Sequence, residues 1–130
     1  MIELTLPFPI SVNSLYRNVR GVGRVKTDRY RVWLQAAGHD VNKAKQKPIN
    51  GWYRISMTLH ESDNRRRDID NFFKGVSDLL VAHKLIDDDC FCTDIVITRV
   101  RSDVKKCVVT IAPSTGIPDE RLNRIQEIVE

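Results

Sequence analysis

Four segments of the chain alternate apolar and polar residues, and each is predicted to form a β-strand. The first lies within residues 2–6 and ends at a proline, and the second covers residues 52–60 after an Asn-Gly turn. The last two, residues 93–101 and 106–112, are rich in β-branched side chains and are separated by a short polar turn. We expect these last two strands to form a hairpin.

Two further segments repeat their apolar residues at helical spacing. Thr27 or Asp28 can cap the first helix, which Pro48 ends. The second helix is expected from about Asp70 to His83. The apolar positions of the two helices are Tyr30, Trp33, Ala37, Val41 and Ala44 in the first, and Phe72, Phe73, Val76, Leu79 and Leu80 in the second.

The order of these elements predicts an α+β fold in a single small domain. We expect a mixed sheet of about four strands with two main helices. The domain should cover residues 1–113. Residues 114–130 should form a C-terminal tail with a short amphipathic helix, since Leu122, Ile125 and Val129 recur at helical spacing after Pro118.

Composition narrows the class of protein. The 130 residues are 42% hydrophobic and 29% charged, which is typical of a globular domain and not of a disordered chain. Three cysteines without a C-x-x-C pair argue against a disulfide framework and favour a reducing compartment, so we expect the cytoplasm. No secretory leader or membrane-length apolar run is found, and no membrane is expected as a partner.

Positive charge is concentrated early in the chain. The formal net charge is +4, and the stretch from residue 16 to 31 holds six basic residues against one acid. From Ser11 to about Asp28 no apolar period is found, so we predict a long loop that carries this charge. Such a patch favours a polyanion as partner, and the candidate contacts in it are Arg17, Arg20, Arg24, Lys26 and Arg29.

The segment RRRDIDNFFKG sets three arginines, residues 65–67, directly before two aspartates. Asp68 or Asp70 can cap the second helix, but one helix needs only one capping side chain. Lys74 follows Asp70 by four residues, so on a continuous helix the two side chains would lie one above the other. Because a helix cap accounts for only one of the two aspartates, we expect the other to have a different function.

Residues 87–89 are three consecutive aspartates between an apolar pair and a strand. If this turn folds back towards the second helix, its acids converge with Asp68 and Asp70, and a divalent cation relieves their repulsion. Mg²⁺ prefers oxygen ligands and takes few protein carboxylates together with substrate phosphates. The arginines would then hold a phosphate backbone, which leads to the hypothesis of a metal-dependent nuclease.

The combined motifs resemble the RusA-type Holliday junction resolvases. The resemblance rests on residues 65–74 (RRRDIDNFFK), on residues 85–89 (LIDDD) and on the opening residues 6–17 (LPFPISVNSLYR). It covers about residues 2–112, and we therefore expect the domain of residues 1–113 to be a RusA-like endonuclease domain. Ile10 stands where a second proline is usual, and Asp87 adds an acid before the Asp-Asp pair.

The resemblance implies a homodimeric endodeoxyribonuclease that cuts four-way junction DNA symmetrically and uses Mg²⁺, for which Mn²⁺ can substitute, without an organic cofactor. By motif position the catalytic residues would be Asp68, Asp70, Lys74 and Asp89. The three aspartates would bind the metal, with Asp88 as a further candidate ligand. DNA would be contacted by Arg17, Arg20, Arg24, Lys26, Arg29, Arg65, Arg66 and Arg67.

Two other interpretations stay open. The chain can be a non-catalytic nucleic-acid-binding module in which the carboxylates only cap and balance charge. It can also hold zinc through Cys90, Cys92, Cys107 and a histidine, although structural zinc sites generally use C-x₂₋₄-C loops, and buried cysteines commonly act as small apolar residues. Trp33, Trp52, Phe72 and Phe73 have spacings that favour core packing over base stacking.

Overall fold

The computed structural model describes residues 1–121. The predicted tail helix, with Leu122, Ile125 and Val129, lies outside the described residues, and the domain boundary at residue 113 stays a prediction. The strands and helices, in chain order, are β1 (Ile2–Leu6), β2 (Tyr16–Val19), β3 (Gly23–Lys26), α1 (Asp28–Ala44), β4 (Tyr53–Glu61), α2 (Lys74–Ala82), β5 (Cys92–Arg101) and β6 (Lys106–Pro113).

A mixed four-stranded sheet in the order β1-β6-β4-β5 forms the centre of the fold. Strand β6 is antiparallel to both β1 and β4, whereas β4 and β5 are parallel. The segment between β4 and β5 contains α2, as a parallel connection requires. The α+β class and the mixed sheet of four strands with two main helices are confirmed.

The predicted hairpin between the last two strands is wrong. β5 and β6 follow each other in the chain, but β4 lies between them and pairs with both. The pattern of each strand was correct because alternation is a local property. The partner of a strand depends on the crossover through α2, which places β5 on the far side of β4.

Within residues 1–121, one face of the sheet is buried and the other is not. Alternate residues of β4 pack into the core (Tyr53, Ile55, Met57 and Leu59), together with the matching residues of β1 and β6. The buried residues of α1 and α2 belong to the same core cluster, so both helices cover this one face. The residues between them in β4 point to the other face and are exposed or half-buried.

The first helix begins as predicted. The Thr27 side chain accepts a hydrogen bond from the Tyr30 amide at 3.2 Å, which identifies Thr27 as the N-cap of α1. The second helix is shorter than predicted. A 3-10 turn covers Ile69–Phe72, and α2 itself starts only at Lys74. None of the helices within residues 1–121 is long and apolar enough to cross a membrane.

The predicted long basic loop is a β-hairpin for half of its length. β2 and β3 pair in antiparallel register, with Tyr16 opposite Lys26. Gly21 and Gly23, at φ 79° and 102°, let the chain reverse between the strands. Apolar alternation did not reveal this hairpin, because its strands bury little. The two glycines were the feature of the sequence that could have predicted it.

Candidate active site

The paired aspartates stand on the surface just before α2. Asp68 has extended backbone and Asp70 lies in the 3-10 turn that follows it. The interpretation as helix caps is wrong for both, since Phe73 occupies the N-cap position of α2 and neither turn nor helix receives a side-chain capping bond. Neither carboxylate forms a hydrogen bond or a close ion pair with another described residue, and both side chains are exposed. Besides Glu61, the main cause, Asp68 lies near enough to Arg99 to contribute to the raised pKa of that guanidinium.

The three aspartates of the second acidic segment have three different environments. Asp87 accepts a hydrogen bond of 2.7 Å from the Gly51 amide, which ties this turn to the start of β4. Asp88 accepts one of 2.7 Å from the Asp89 amide and so caps the 3-10 turn Asp89–Phe91. Hydrogen bonds from Asp89 hold the pKa of the Asp88 carboxyl below its ordinary value. Only Asp89 faces the start of α2.

Lys74 connects the acidic turn to α2. Its ammonium lies 3.1 Å from Asp78 Oδ1 and 3.8 Å from Asp89 Oδ2. The hydrogen bond with Asp78 is the main cause that raises the pKa of Lys74, so the side chain is a cation at neutral pH. The predicted contact between Lys74 and Asp70 is not formed, because the helix begins at Lys74 and Asp70 belongs to the separate 3-10 turn.

A charge network that the sequence analysis missed fixes the arginine segment. Glu61, at the end of β4, is only 7% exposed. It accepts hydrogen bonds from Arg99 at 2.7 and 3.0 Å and from Arg67 at 2.9 Å. Arg67 also forms a two-pronged pair with Asp63, at 2.7 and 3.0 Å. The alternation of β4 could have predicted this network. It places Glu61 on the buried face of the strand, where a charge requires partners.

The network lowers the pKa of both acids. For Glu61 the hydrogen bond from Arg99 is the largest cause, and burial opposes it. For Asp63 the hydrogen bond from Arg67 is the largest cause. Arg99 also donates to the Arg67 carbonyl at 3.2 Å, so strand β5 holds the backbone of the arginine segment as well as its side chain.

The three arginines before Asp68 therefore have two different roles in the structure. The Arg67 side chain is 7% exposed and holds two carboxylates while it lies over the Phe8 ring, 4.9 Å from its centre. Arg65 and Arg66 are exposed. Only these two present guanidinium groups to solvent beside the free aspartates.

Two basic clefts share the arginine segment as part of their lining. One, of about 360 Å³, is lined by five basic side chains, by Phe8 and Phe72 and by two serines and a proline, the basic ones being Arg29, Arg65, Arg66, Arg67 and Lys105. The other, of about 440 Å³, contains Asp68 beside Asn64, Arg65, Arg66, Arg67, Arg99 and Arg101. Asp68 thus belongs to a cleft with five cationic neighbours, which is a surface suited to phosphate groups.

The basic hairpin stands next to the start of α2. Tyr16 and Arg24 line a cleft of about 530 Å³ together with Lys74 and Asp78. The Arg24 guanidinium stacks on the Tyr16 ring, 4.0 Å from its centre. The predicted contact residues of this region are all exposed, namely Arg17, Arg20, Arg24, Lys26 and Arg29.

The donors present fit Mg²⁺ in chemical type. Asp68, Asp70 and Asp89 offer exposed carboxylate oxygens, which are the ligands that this hard cation prefers. Within residues 1–121 no group of three or more His, Cys, Asp or Glu side chains is gathered tightly enough to hold a metal by itself. Mg²⁺ is commonly held by one or two carboxylates together with substrate phosphates, so the acids remain suitable ligands.

Several of the cysteines and aromatic residues considered above belong to the hydrophobic core. Cys107 is fully buried in β6, whereas Cys90 is exposed and Cys92 is half-buried. Trp33 is buried and donates a hydrogen bond of 3.0 Å to the Pro7 carbonyl. Phe72 is also a core residue, as predicted.

This geometry defines a small α+β domain whose basic surface surrounds exposed carboxylates at the start of one helix. The family model of endodeoxyribonuclease RusA matches residues 7–112, and the chain belongs to this family. Membership implies an endodeoxyribonuclease that resolves Holliday junctions. No curated protein matches the chain.

Replacing Glu61 by Gln is expected to destabilise the fold by about 1–3 kcal/mol at neutral pH, since two guanidinium groups lose their shared carboxylate. The pKa of Glu61 is lowered from its ordinary value of 4.5 in the folded protein. Its ionised form therefore stabilises the fold fully above that value, and this stabilisation is lost as the pH falls below it.

Urea unfolding of both proteins at neutral and acidic pH measures this effect. The difference between wild type and Glu61→Gln should shrink as the pH falls through 4.5 towards the lowered pKa. Glu3→Gln, on the exposed face of β1, is the matched control and should change stability by less than about 0.5 kcal/mol. An equal loss for Glu61→Gln at all pH values would show that the carboxylate charge is not involved.

Proposed function

We propose that the protein is a magnesium-dependent, structure-selective endodeoxyribonuclease that resolves Holliday junctions by paired symmetric cleavage of phosphodiesters. The observation that carries the proposal is the exposed carboxylate of Asp68 in a cleft with Arg65 and Arg66, two residues before the equally exposed Asp70. Carboxylates without partners inside a basic surface are unexpected for a module that only binds DNA, because they repel the phosphate backbone.

In this proposal Arg65 and Arg66 bind the DNA backbone from the two clefts that they line. Arg67 acts on them as a positioning residue, because its bonds to Glu61 and Asp63 fix the segment from the inside. The hairpin arginines, with Arg24 next to Lys74, extend the contact along the DNA. Phosphate contacts of this kind orient a duplex without reading its sequence.

The metal would be held by Asp68, Asp70 and Asp89, with Asp88 as a further candidate and Mn²⁺ as a substitute ion. When bound, Mg²⁺ supplies a more nucleophilic water and stabilises charge on the phosphate. Asp89 is the member of its acidic segment best suited to this role, since Asp87 is occupied by Gly51 and Asp88 by the amide of Asp89.

Lys74 has the role of a fixed cation. The hydrogen bond with Asp78 raises the pKa of Lys74 and so favours the protonated amine, which suits a cation better than a general base. A cation at this position favours the negative charge that develops when a phosphodiester is attacked. Its contact with Asp89 also fixes the acidic turn against α2.

Symmetric cutting requires two equivalent sites, which a two-fold homodimer supplies for a four-way junction of approximate two-fold symmetry. We propose the cytoplasm as the compartment, on the basis of the three free cysteines. A second candidate function, a non-catalytic nucleic-acid-binding module, is favoured by one observation: the described acids do not form a three-ligand cluster.

Cleavage of synthetic four-way, three-way and linear DNA separates these functions. With Mg²⁺ the purified protein should cut the four-way junction at symmetric positions, and Ca²⁺ or a chelator should abolish cutting without abolishing binding. Binding of the junction without cleavage under all metal conditions would identify the non-catalytic module. Equal cutting of linear duplex would identify a nuclease without structure selectivity.

Asp70→Asn should reduce the cleavage rate at least about 100-fold, because an amide is a weaker ligand than a carboxylate for a hard cation. Junction affinity should stay equal or rise, since the substitution removes a negative charge next to the backbone. Single-turnover cleavage and gel-shift titration measure the two quantities. Asp103→Asn, an exposed acid after β5, is the control and should leave both unchanged.

Arg66→Ala should weaken junction binding and reduce the slope of log affinity against log salt by about 1, which is the loss of one phosphate contact. Fluorescence anisotropy over a salt series measures the slope. Lys43→Ala removes an exposed cation in the last turn of α1 and should not change it. A slope that is the same for Arg66→Ala and wild type would exclude Arg66 from the DNA contact.

A further inference from the structure

The acidic turn that carries Asp89 is attached to the segment just before β4. The Ile49 amide donates a hydrogen bond of 2.9 Å to the Leu85 carbonyl. The Gly51 amide donates one of 2.7 Å to the Asp87 carboxylate. Both bonds hold the turn upstream of Asp89.

Trp52 supplies the contact for the part of the turn that contains Asp89 itself. Its ring meets the Phe91 ring edge-on, with 5.5 Å between the ring centres and 84° between the planes, a favourable geometry for two aromatic rings. Phe91 is the last residue of the 3-10 turn that begins at Asp89, and its amide donates to the Asp88 carbonyl at 3.3 Å. Because this turn has only three residues, the position of Phe91 determines the direction of the Asp89 side chain.

Trp52 is held in turn by the segment that follows β6. The Ser114 amide donates a hydrogen bond of 3.0 Å to the Trp52 carbonyl. Gly116 lies directly against the indole, since a Cβ added to it would be 3.2 Å from two atoms of the ring. Its φ of 95° also favours glycine. The Thr93 hydroxyl donates to the Ser114 hydroxyl at 2.9 Å, so the same segment is attached to the start of β5.

Residues 113–116 lie beyond residues 7–112, the part of the chain that the family model matches. Their contacts with Trp52 are therefore a feature that family membership does not imply. A tryptophan that only covered the end of the sheet would stabilise the fold and leave the metal site unchanged. A tryptophan that orients Asp89 would change the affinity of the site for metal, and the two roles can be separated by measurement.

We propose that Trp52 is a positioning residue for Asp89, and that the segment Ser114–Gly116 holds Trp52 in place from the other side. The inference rests on the proposed function in one respect, the role of Asp89 as a metal ligand. The indole has a donor N–H and no lone pair to offer a cation, so Trp52 acts on the metal only through Asp89. A carboxylate that is already oriented loses less conformational freedom when a cation binds.

Hydrogen exchange of residues 86–92, followed by mass spectrometry without metal or DNA, tests the contact. Trp52→Leu removes the ring-to-ring contact and should speed exchange in this segment, whereas Trp52→Phe retains an aromatic edge and should have a smaller effect. Gly116→Ala displaces the ring from the other side and is the second variant if Trp52→Leu does not fold. Trp33→Leu removes a buried indole from α1 and is the matched control, which should leave exchange of residues 86–92 unchanged.

Binding of Mn²⁺ without DNA, measured by the loss of the free-ion EPR signal up to millimolar concentration, tests the consequence for the metal site. Trp52→Leu should raise the Mn²⁺ dissociation constant about tenfold, the lower end of the range for groups that orient a metal ligand. Trp33→Leu should not change it. In an Asp89→Asn background Trp52→Leu should cause no further loss, because Trp52 acts through the carboxylate that is already removed.

Unchanged exchange of residues 86–92 in Trp52→Leu would overturn the proposal. So would a Mn²⁺ affinity equal to that of wild type, a wild type that binds no Mn²⁺, or a loss that adds in full to that of Asp89→Asn. Both measurements are independent of cleavage. A wild type that meets these expectations but never cuts a junction would therefore refute the proposed nuclease and leave the role of Trp52 intact.

Discussion

The burial of Glu61 is the constraint on which the arrangement of this surface depends. A carboxylate at the buried end of β4 is unfavourable unless positive groups satisfy both of its oxygens. Arg99 from β5 and Arg67 from the loop before α2 do so. This buried carboxylate thus connects three parts of the chain, and it fixes the backbone that leads into Asp68.

Because of this constraint, the three arginines of residues 65–67 have two different environments. Arg67 is paired and buried, and its contribution is to the shape of the loop. Arg65 and Arg66, which directly precede it, are exposed and line both clefts. The same division holds for the acidic turn, where Asp87 and Asp88 stabilise backbone while Asp89 faces Lys74. In both segments, residues that hold the structure lie next to residues with exposed charged groups.

The sequence predicted the parts of this arrangement that depend on local patterns. The four strands of the central sheet, both main helices and the Thr27 cap follow from periodicity and capping, which are set by neighbouring residues. The pairing of β5 with β4 does not, because it depends on a crossover through α2. The hairpin β2–β3 was missed for a related reason, since strands that bury little leave no apolar alternation to detect.

In the candidate site, too, a contact that depends on the course of the backbone could not be predicted from the sequence. Motifs identified Asp68, Asp70, Lys74 and Asp89, and the structure brings Lys74 and Asp89 together. The expected contact between Asp70 and Lys74 assumed a continuous helix, which the 3-10 turn Ile69–Phe72 interrupts. An exposed carboxylate in water costs little free energy without a partner, whereas a buried one costs much. The fold therefore tolerates exposed acids at the surface next to α2, while it pairs Glu61 fully.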